Sequence, residues 1–167
     1  GYLYVDLVLN GIYFIGPLLV AFFTYNFLEK KHSANKTTRH AIAYTSGVAT
    51  WLLCSLTIQH GFLGQFYYRF IAIYIFSLLY WGIPVLRHLI ANRKWEWLLL
   101  ILMLVALPLI ALLGSSNTAT QTLTRYLASW LALTALFLGY HFKENLGAFV
   151  AIMAFIVSFA WANYLTV

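Results

Sequence analysis

Long stretches without a charged residue dominate this sequence, and the charges gather between them. The first stretch runs from Leu7 to Leu28 and is long enough for a helix to cross a bilayer, which takes about 20 residues. Hydrophobic residues make up 63% of the 167 residues and charged residues only 8%, whereas a soluble domain carries roughly 25% charged residues. So few charges cannot cover the core of a water-soluble fold. The composition therefore excludes soluble enzymes, disordered segments, disulfide scaffolds and coiled coils.

The pattern predicts an all-α fold, a polytopic transmembrane bundle of about six helices that forms one domain over residues 1–167. The apolar runs are continuous and do not alternate, which is typical of membrane helices and unlike barrel strands. The runs between the charged segments predict helices at about 3–28, 41–63, 70–90, 97–114, 123–142 and 146–166.

Basic residues predict the orientation of these helices, because cytoplasmic loops carry an excess of lysine and arginine. The loops after helices one, three and five hold most of them, namely Lys30, Lys31, Lys36, Arg39, Arg87, Arg93, Lys94 and Lys143. The opposite side holds Arg69 and Arg125. Both termini are therefore expected outside, in a membrane that we expect to be the bacterial inner (cytoplasmic) membrane. The net charge of +6 thus follows from topology, and we predict no binding of nucleic acid.

The sequence around Arg69 recurs around Arg125. Gln65 and Arg69 match Gln121 and Arg125 in spacing, and each arginine opens an uncharged stretch that a basic residue closes. This pattern indicates a duplicated helical hairpin, formed by helices two and three and again by helices four and five. The alternative is convergence, since any helix that enters the membrane from outside begins near a polar turn and ends at a basic residue.

Polar residues at the predicted outer helix ends form the candidate ligand site, which comprises Asp6, His60, Gln65, Arg69 and Arg125. Packed together, they would form an outward cup for a carboxylate or phosphate, because the planar guanidinium group binds two oxygens. The alternative is that the arginines extend to the lipid headgroups and pair with Asp6 to join helices. Hydropathy places these residues near the interface and not in mid-membrane, where an ionisable residue would indicate function.

Prolines fall inside three predicted helices, at Pro17, Pro84 and Pro108, and are expected to kink them. Kinked helices build substrate sites in transporters, although proline is also common in membrane helices generally. The sequence contains no acid dyad, serine–histidine set or phosphate-binding loop. Its histidines do not pair in mid-membrane as a bis-histidine haem requires. We therefore predict no catalytic residue, no metal and no cofactor.

Three segments resemble a known protein family, namely LNGIYFIGPLL at Leu9–Leu19, SLTIQHGFLG at Ser55–Gly64 and YIFSLLYWG at Tyr74–Gly82. Residues 9–114 are similar to helices near the C-terminal end of large, many-pass bacterial inner-membrane proteins that form a domain of unknown function. Helices five and six match this family poorly. The resemblance implies serial helical hairpins, and it supplies no activity, substrate or catalytic residue.

Together these features predict a non-enzymatic membrane subunit or domain with a scaffolding or assembly role. Its expected partners are the lipid bilayer and either other membrane subunits or the rest of a longer chain. A first helix that begins outside is expected when another helix precedes it in a longer chain. The alternative is a small transporter or flippase domain for an anionic or lipid-like ligand, which Arg69, Arg125 and the prolines favour. A redox-membrane subunit is a third hypothesis.

Overall fold

The computed structural model describes residues 2–32, 34–57, 66–113 and 119–165, and the side chains of residues 4–5, 7–32, 34–57, 72–111, 113 and 128–158. Within these ranges the chain forms six α-helices and no strand. The helices are α1 (Tyr2–Lys30), α2 (Lys36–Thr57), α3 (Phe66–Ala91), α4 (Trp95–Leu113), α5 (Ala119–His141) and α6 (Leu146–Leu165). The prediction of an all-helical fold with six helices is confirmed for this part of the chain.

Two helices begin at a capping asparagine. The side-chain oxygen of Asn35 accepts a hydrogen bond from the backbone N–H of Thr38 over 2.8 Å, and that of Asn145 accepts one from Ala148 over 3.0 Å. Such a cap satisfies one of the free N–H groups in the first turn of a helix. Helix α2 therefore starts at Lys36, a turn before the hydropathy pattern predicts, because the cap lets the helix include the charged residues.

The turn between α3 and α4 is closed by backbone hydrogen bonds. The N–H of Lys94 donates to the carbonyl of Leu89 over 3.0 Å, and the N–H of Arg93 donates to that of Ile90 over 3.1 Å. Arg93 has a φ angle of 52°, a left-handed conformation that glycine usually provides at the end of a helix. His32, after α1, has a φ angle of 48°. Both helices thus end in a short turn with a basic residue in a left-handed conformation.

Two helical stretches in the described ranges, Leu7–Lys30 and Ala72–Ala91, are long and apolar enough to cross a membrane. Trp95–Ala111 and Leu146–Ser158 are apolar but shorter. By length and composition the chain is therefore compatible with an integral membrane location. A bundle with six crossings, both termini outside and a duplicated hairpin stays a prediction.

The chain divides into two compact units, Gly1–Tyr80 (unit 1) and Trp81–Val167 (unit 2), with the boundary inside α3. In unit 1, α1 packs along α2, and the largest buried side chains are aromatic. Gly47 of α2 lies at the closest approach. A Cβ atom there would be 2.3 Å from Cζ of Phe76 and 2.9 Å from the carbonyl oxygen of Pro17. Only glycine therefore allows this backbone to lie against both groups, as small residues do in membrane helix pairs.

In unit 2, α5 is the central helix. It packs against α4 and α6, and its Phe137 ring lies against Gly82 in the second half of α3, 2.6 Å from where a Cβ atom would be. The buried apolar side chains of this unit belong mainly to α5, to the residue that follows it and to the second half of α3: Trp81, Val85, Trp130, Leu133, Phe137, Leu138 and Phe142.

Candidate functional site

The predicted outer ligand site lies largely outside the described part of the chain. His60 and Gln65 are outside the described residues, and for Asp6 in α1, Arg69 in α3 and Arg125 in α5 the backbone is described without the side chain. The outward cup with two guanidinium groups therefore stays a prediction.

The three prolines lie inside continuous helices, as the sequence predicts: Pro17 in α1, Pro84 in α3 and Pro108 in α4. Proline has no N–H to donate, and its ring displaces the carbonyl four residues before it. It therefore removes the helix hydrogen bond to that carbonyl, and a kink at a proline disturbs the other helix hydrogen bonds of the same turn. Each proline therefore leaves acceptors that another donor can reach.

Helix α5 supplies such donors to both proline helices of unit 2. Nε2 of His141 donates to the carbonyl oxygen of Trp81 over 3.0 Å, and Nε1 of Trp130 donates to that of Val105 over 3.3 Å. Trp81 lies three residues before Pro84, and Val105 three residues before Pro108. Because a carbonyl only accepts, Nε2 of His141 must carry a proton. These two side chains thus join α5 to the turns of α3 and α4 that precede Pro84 and Pro108.

Sequence reasoning missed this arrangement, since it considered the histidines as candidate haem ligands and gave Trp130 no role. The signal was present in the spacing. Trp130 and His141 are three helical turns apart and so lie on one face of α5, and a proline lies in each helix that this face contacts. The ring of Trp81 also lies 5.3 Å from the ring of His141, which fixes the orientation of the imidazole.

The polar side chains buried in unit 1 form two hydrogen-bonded series of the same kind. Ser55 Oγ donates to the carbonyl of Trp51 over 2.8 Å, so the hydroxyl of Tyr13, 2.7 Å away, is the donor to Ser55. Each series thus runs from a tyrosine of one helix through a serine of another to a backbone carbonyl.

The second series joins α2 to α3. Ser77 Oγ donates to the carbonyl of Ile73 over 2.8 Å, and the hydroxyl of Tyr44 lies 2.7 Å from Ser77 Oγ. The ring of Tyr44 also stacks on Phe76 with centroids 5.3 Å apart. Bonds of this kind join helices in lipid.

His40 lies between two tyrosines at the end of unit 1 where α1 meets α2. Its ring is 4.5 Å from the ring of Tyr25, and its Nδ1 is 3.2 Å from the hydroxyl of Tyr80. The guanidinium group of Arg39 also contacts Tyr25 and lies 5.8 Å from the centroid of its ring. Among the described residues no group of three or more His, Cys, Asp or Glu side chains could hold a metal ion. This cluster therefore holds three helices together by aromatic and polar contacts.

The described grooves include an open apolar one along α4. Its volume is about 500 Å³, and it is lined by Leu102, Met103, Ala106, Leu107, Ile110 and Ala111. No polar side chain contributes to this lining in the described ranges. Such a surface accommodates a lipid chain or an apolar helix face and has no group that would orient a polar substrate.

Comparison with known proteins identifies no family for this sequence. No protein-family model matches the sequence, and searches of curated proteins and of solved structures found no match. The resemblance to many-pass bacterial inner-membrane proteins therefore stays a prediction.

Proposed function

We propose that the chain is a polytopic domain whose six helices cross the inner membrane of a bacterium with both termini outside. The candidate spans support a membrane location, and so does the apolar surface of both units. Large apolar side chains are exposed along it, among them Leu7 (70%), Phe23 (70%), Leu102 (63%) and Ile110 (66%). In water such a surface would cost free energy at every exposed side chain, whereas in lipid it is solvated.

The orientation is testable because Cys54 is the single cysteine of the chain. In a Cys54→Ser background, new cysteines at Lys31, Asn92 and Glu144 are expected to react with a membrane-impermeant maleimide only in inverted vesicles. A cysteine at Ser116 is the matched control, and it is expected to react in right-side-out cells. Outside labelling at Lys31, Asn92 and Glu144 would overturn the orientation.

Within the membrane we propose a scaffolding or assembly role in a larger membrane protein or complex. The observation that carries it is the use of the buried polar side chains. Ser55, Ser77 and Thr134 each donate to a carbonyl four residues earlier in their own helix, and the two serines also accept from a tyrosine of another helix. The polar groups thus hold helices in place, while the apolar outer faces are free for neighbouring subunits.

Native mass spectrometry of the full chain, extracted from its own membrane in mild detergent, tests this role. We expect a specific complex with a mass well above 19.1 kDa, and the same complex after exchange into a second detergent. A 19.1 kDa species that carries a small molecule would contradict the role.

The alternative is a transporter or flippase domain for an anionic or lipid-like ligand. It is favoured by the prolines inside α3 and α4, because interrupted helices form the moving parts and sites of many transporters. Replacing Arg69 and Arg125 together with glutamine would then abolish ligand uptake or ligand-induced thermal stabilisation. Unchanged uptake and stabilisation in that double variant would reject the transporter function.

A further inference from the structure

The turn between α1 and α2 carries strong uncompensated charge. Lys30, Lys31 and Lys36 are exposed, and Arg39 is half-buried in the first turns of α2. Glu29 is the one acidic residue between positions 29 and 40. In the described ranges, none of the four cations forms an ion pair. These four residues are called the basic turn below.

Aromatic rings hold two cations of the basic turn without neutralising them. Nζ of Lys31 lies 4.4 Å from the ring centroid of Phe27, and the guanidinium group of Arg39 lies 5.8 Å from that of Tyr25. Both rings belong to the last two turns of α1. A cation–π contact restricts the position of the cation and leaves its charge available to a further anion.

The basic turn lies at the edge of an apolar helix. The candidate span Leu7–Lys30 ends at its first residue, and just before it Phe27 is 56% exposed. A helix with this composition puts its aromatic side chains at the membrane interface and its terminal lysines at the level of the headgroups. The cations then lie where lipid phosphates are.

We propose that the basic turn binds the phosphate of acidic phospholipids on the cytoplasmic surface, a proposal that rests on the membrane orientation given above. The lysines attract the net negative lipid. The guanidinium group of Arg39 offers parallel N–H donors to two phosphate oxygens. The first turn of α2 adds its positive end. A zwitterionic lipid carries the same phosphate together with its own cation, which the lysines repel, so net charge decides the preference.

The turn between α5 and α6 is the matched control. Nζ of Lys143 lies 5.3 Å from the ring of Tyr140, a geometry similar to that of Lys31 on Phe27. The next residue, however, is Glu144, so the cation and the carboxylate of this turn balance. We therefore expect no lipid preference from Lys143.

Native mass spectrometry of the purified full chain in neutral detergent, with equimolar phosphatidylglycerol and phosphatidylcholine, tests the proposal. We expect phosphatidylglycerol adducts to dominate, and replacing Lys30, Lys31 and Lys36 with glutamine to weaken that preference roughly fivefold for each lysine removed. Lys143→Gln is expected to behave as the parent chain. A triple variant that keeps the full preference would overturn the proposal.

Two further measurements test the role of Arg39 and distinguish a lipid phosphate from a soluble anion. Arg39→Lys keeps the charge and loses the planar donor pair, so it is expected to lower the preference severalfold while circular dichroism stays unchanged; an undiminished preference would refute the role of Arg39. Millimolar inorganic phosphate is expected not to displace the lipid, and displacement would assign the site to a soluble anion instead. If the parent chain shows no preference for phosphatidylglycerol while a cysteine at position 31 is labelled from the cytoplasmic side, this site alone is refuted. Labelling of that cysteine from outside would refute the orientation.

Discussion

Nε2 of His141 donates to the carbonyl oxygen of Trp81 over 3.0 Å and joins residues that are 60 positions apart in the chain. The acceptor lies three residues before Pro84, in the turn where the proline removes one hydrogen bond of α3. The last residue of α5 is thereby attached to the proline-containing turn of α3. This contact predicts that unit 2 is sensitive to substitution at His141.

Replacing His141 with phenylalanine keeps a ring beside Trp81 and removes the donor. We expect the free energy of unfolding in detergent to fall by about 0.5–1.5 kcal/mol, the usual net contribution of one hydrogen bond. His88→Phe is the control, since His88 is exposed, and the change is expected to be smaller. Equal losses in the two variants would contradict the role of His141.

Pro84→Ala provides a second control for the same bond. Alanine at position 84 removes the proline ring from this turn and restores the N–H that bonds the carbonyl of Tyr80. The Trp81 carbonyl can then accept fully from the N–H of Val85 within α3, so the added effect of His141→Phe is expected to shrink. A double-mutant cycle measures this coupling. If the cost of His141→Phe is the same in both backgrounds, the bond does not compensate for the proline.

Gly47→Ala is expected to destabilise unit 1 because the new methyl group would lie 2.3 Å from the ring of Phe76. Overpacking of this kind costs about 1–3 kcal/mol. Gly11→Ala is the matched variant in α1, where nothing lies within 4 Å of the added carbon, and it is expected to raise stability by up to about 1 kcal/mol. Thermal unfolding of both variants checks the opposite signs, and two changes of the same sign would refute the packing argument.

Ser77→Ala is expected to cost more than Tyr44→Phe. Alanine removes both the acceptor of the Tyr44 hydroxyl and the donor to the Ile73 carbonyl, whereas phenylalanine removes one hydroxyl and keeps the ring stacked on Phe76. We expect about 1–3 kcal/mol for the first change and about 1 kcal/mol or less for the second. The double variant should cost less than the sum of both. Additive losses would show that the two hydroxyls act independently.

Arg93→Gly is expected to stabilise the turn between α3 and α4, because glycine adopts a φ angle of 52° without the steric cost of a side chain. Arg93→Ala loses the same charge and keeps that cost. The glycine variant should therefore unfold at the higher temperature, by an amount equivalent to about 1 kcal/mol. An alanine variant of equal stability would show that the turn is unstrained.

The helices could be predicted from the sequence, and their contacts could not. Uncharged runs separated by basic residues indicate six helices, because a long apolar segment between charged turns satisfies its backbone groups as a helix. The bond from His141 to Trp81 leaves no such pattern, since lipid is as apolar as a buried helix face and hydropathy does not show which face is covered. The prolines were visible, but their donors on α5 follow from how the helices pack.

The same limit applies to the start of α2. Hydropathy assigns Lys36 and Arg39 to a loop, whereas Asn35 caps a helix that includes both. A capping residue is a local signal that a search for apolar runs does not weigh. The consequence is functional, because the helix fixes Arg39 beside Tyr25.

The tyrosine–serine–carbonyl series of unit 1 have a direction. A proton moves along a hydrogen-bonded series only if every member can take up one proton and release another. The carbonyl oxygens of Trp51 and Ile73, at which the two series end, have no proton to release. Each series is therefore a dead end for proton conduction. In the proposed membrane domain, these tyrosines join the helices, and the series provide no path for protons that would dissipate the membrane potential.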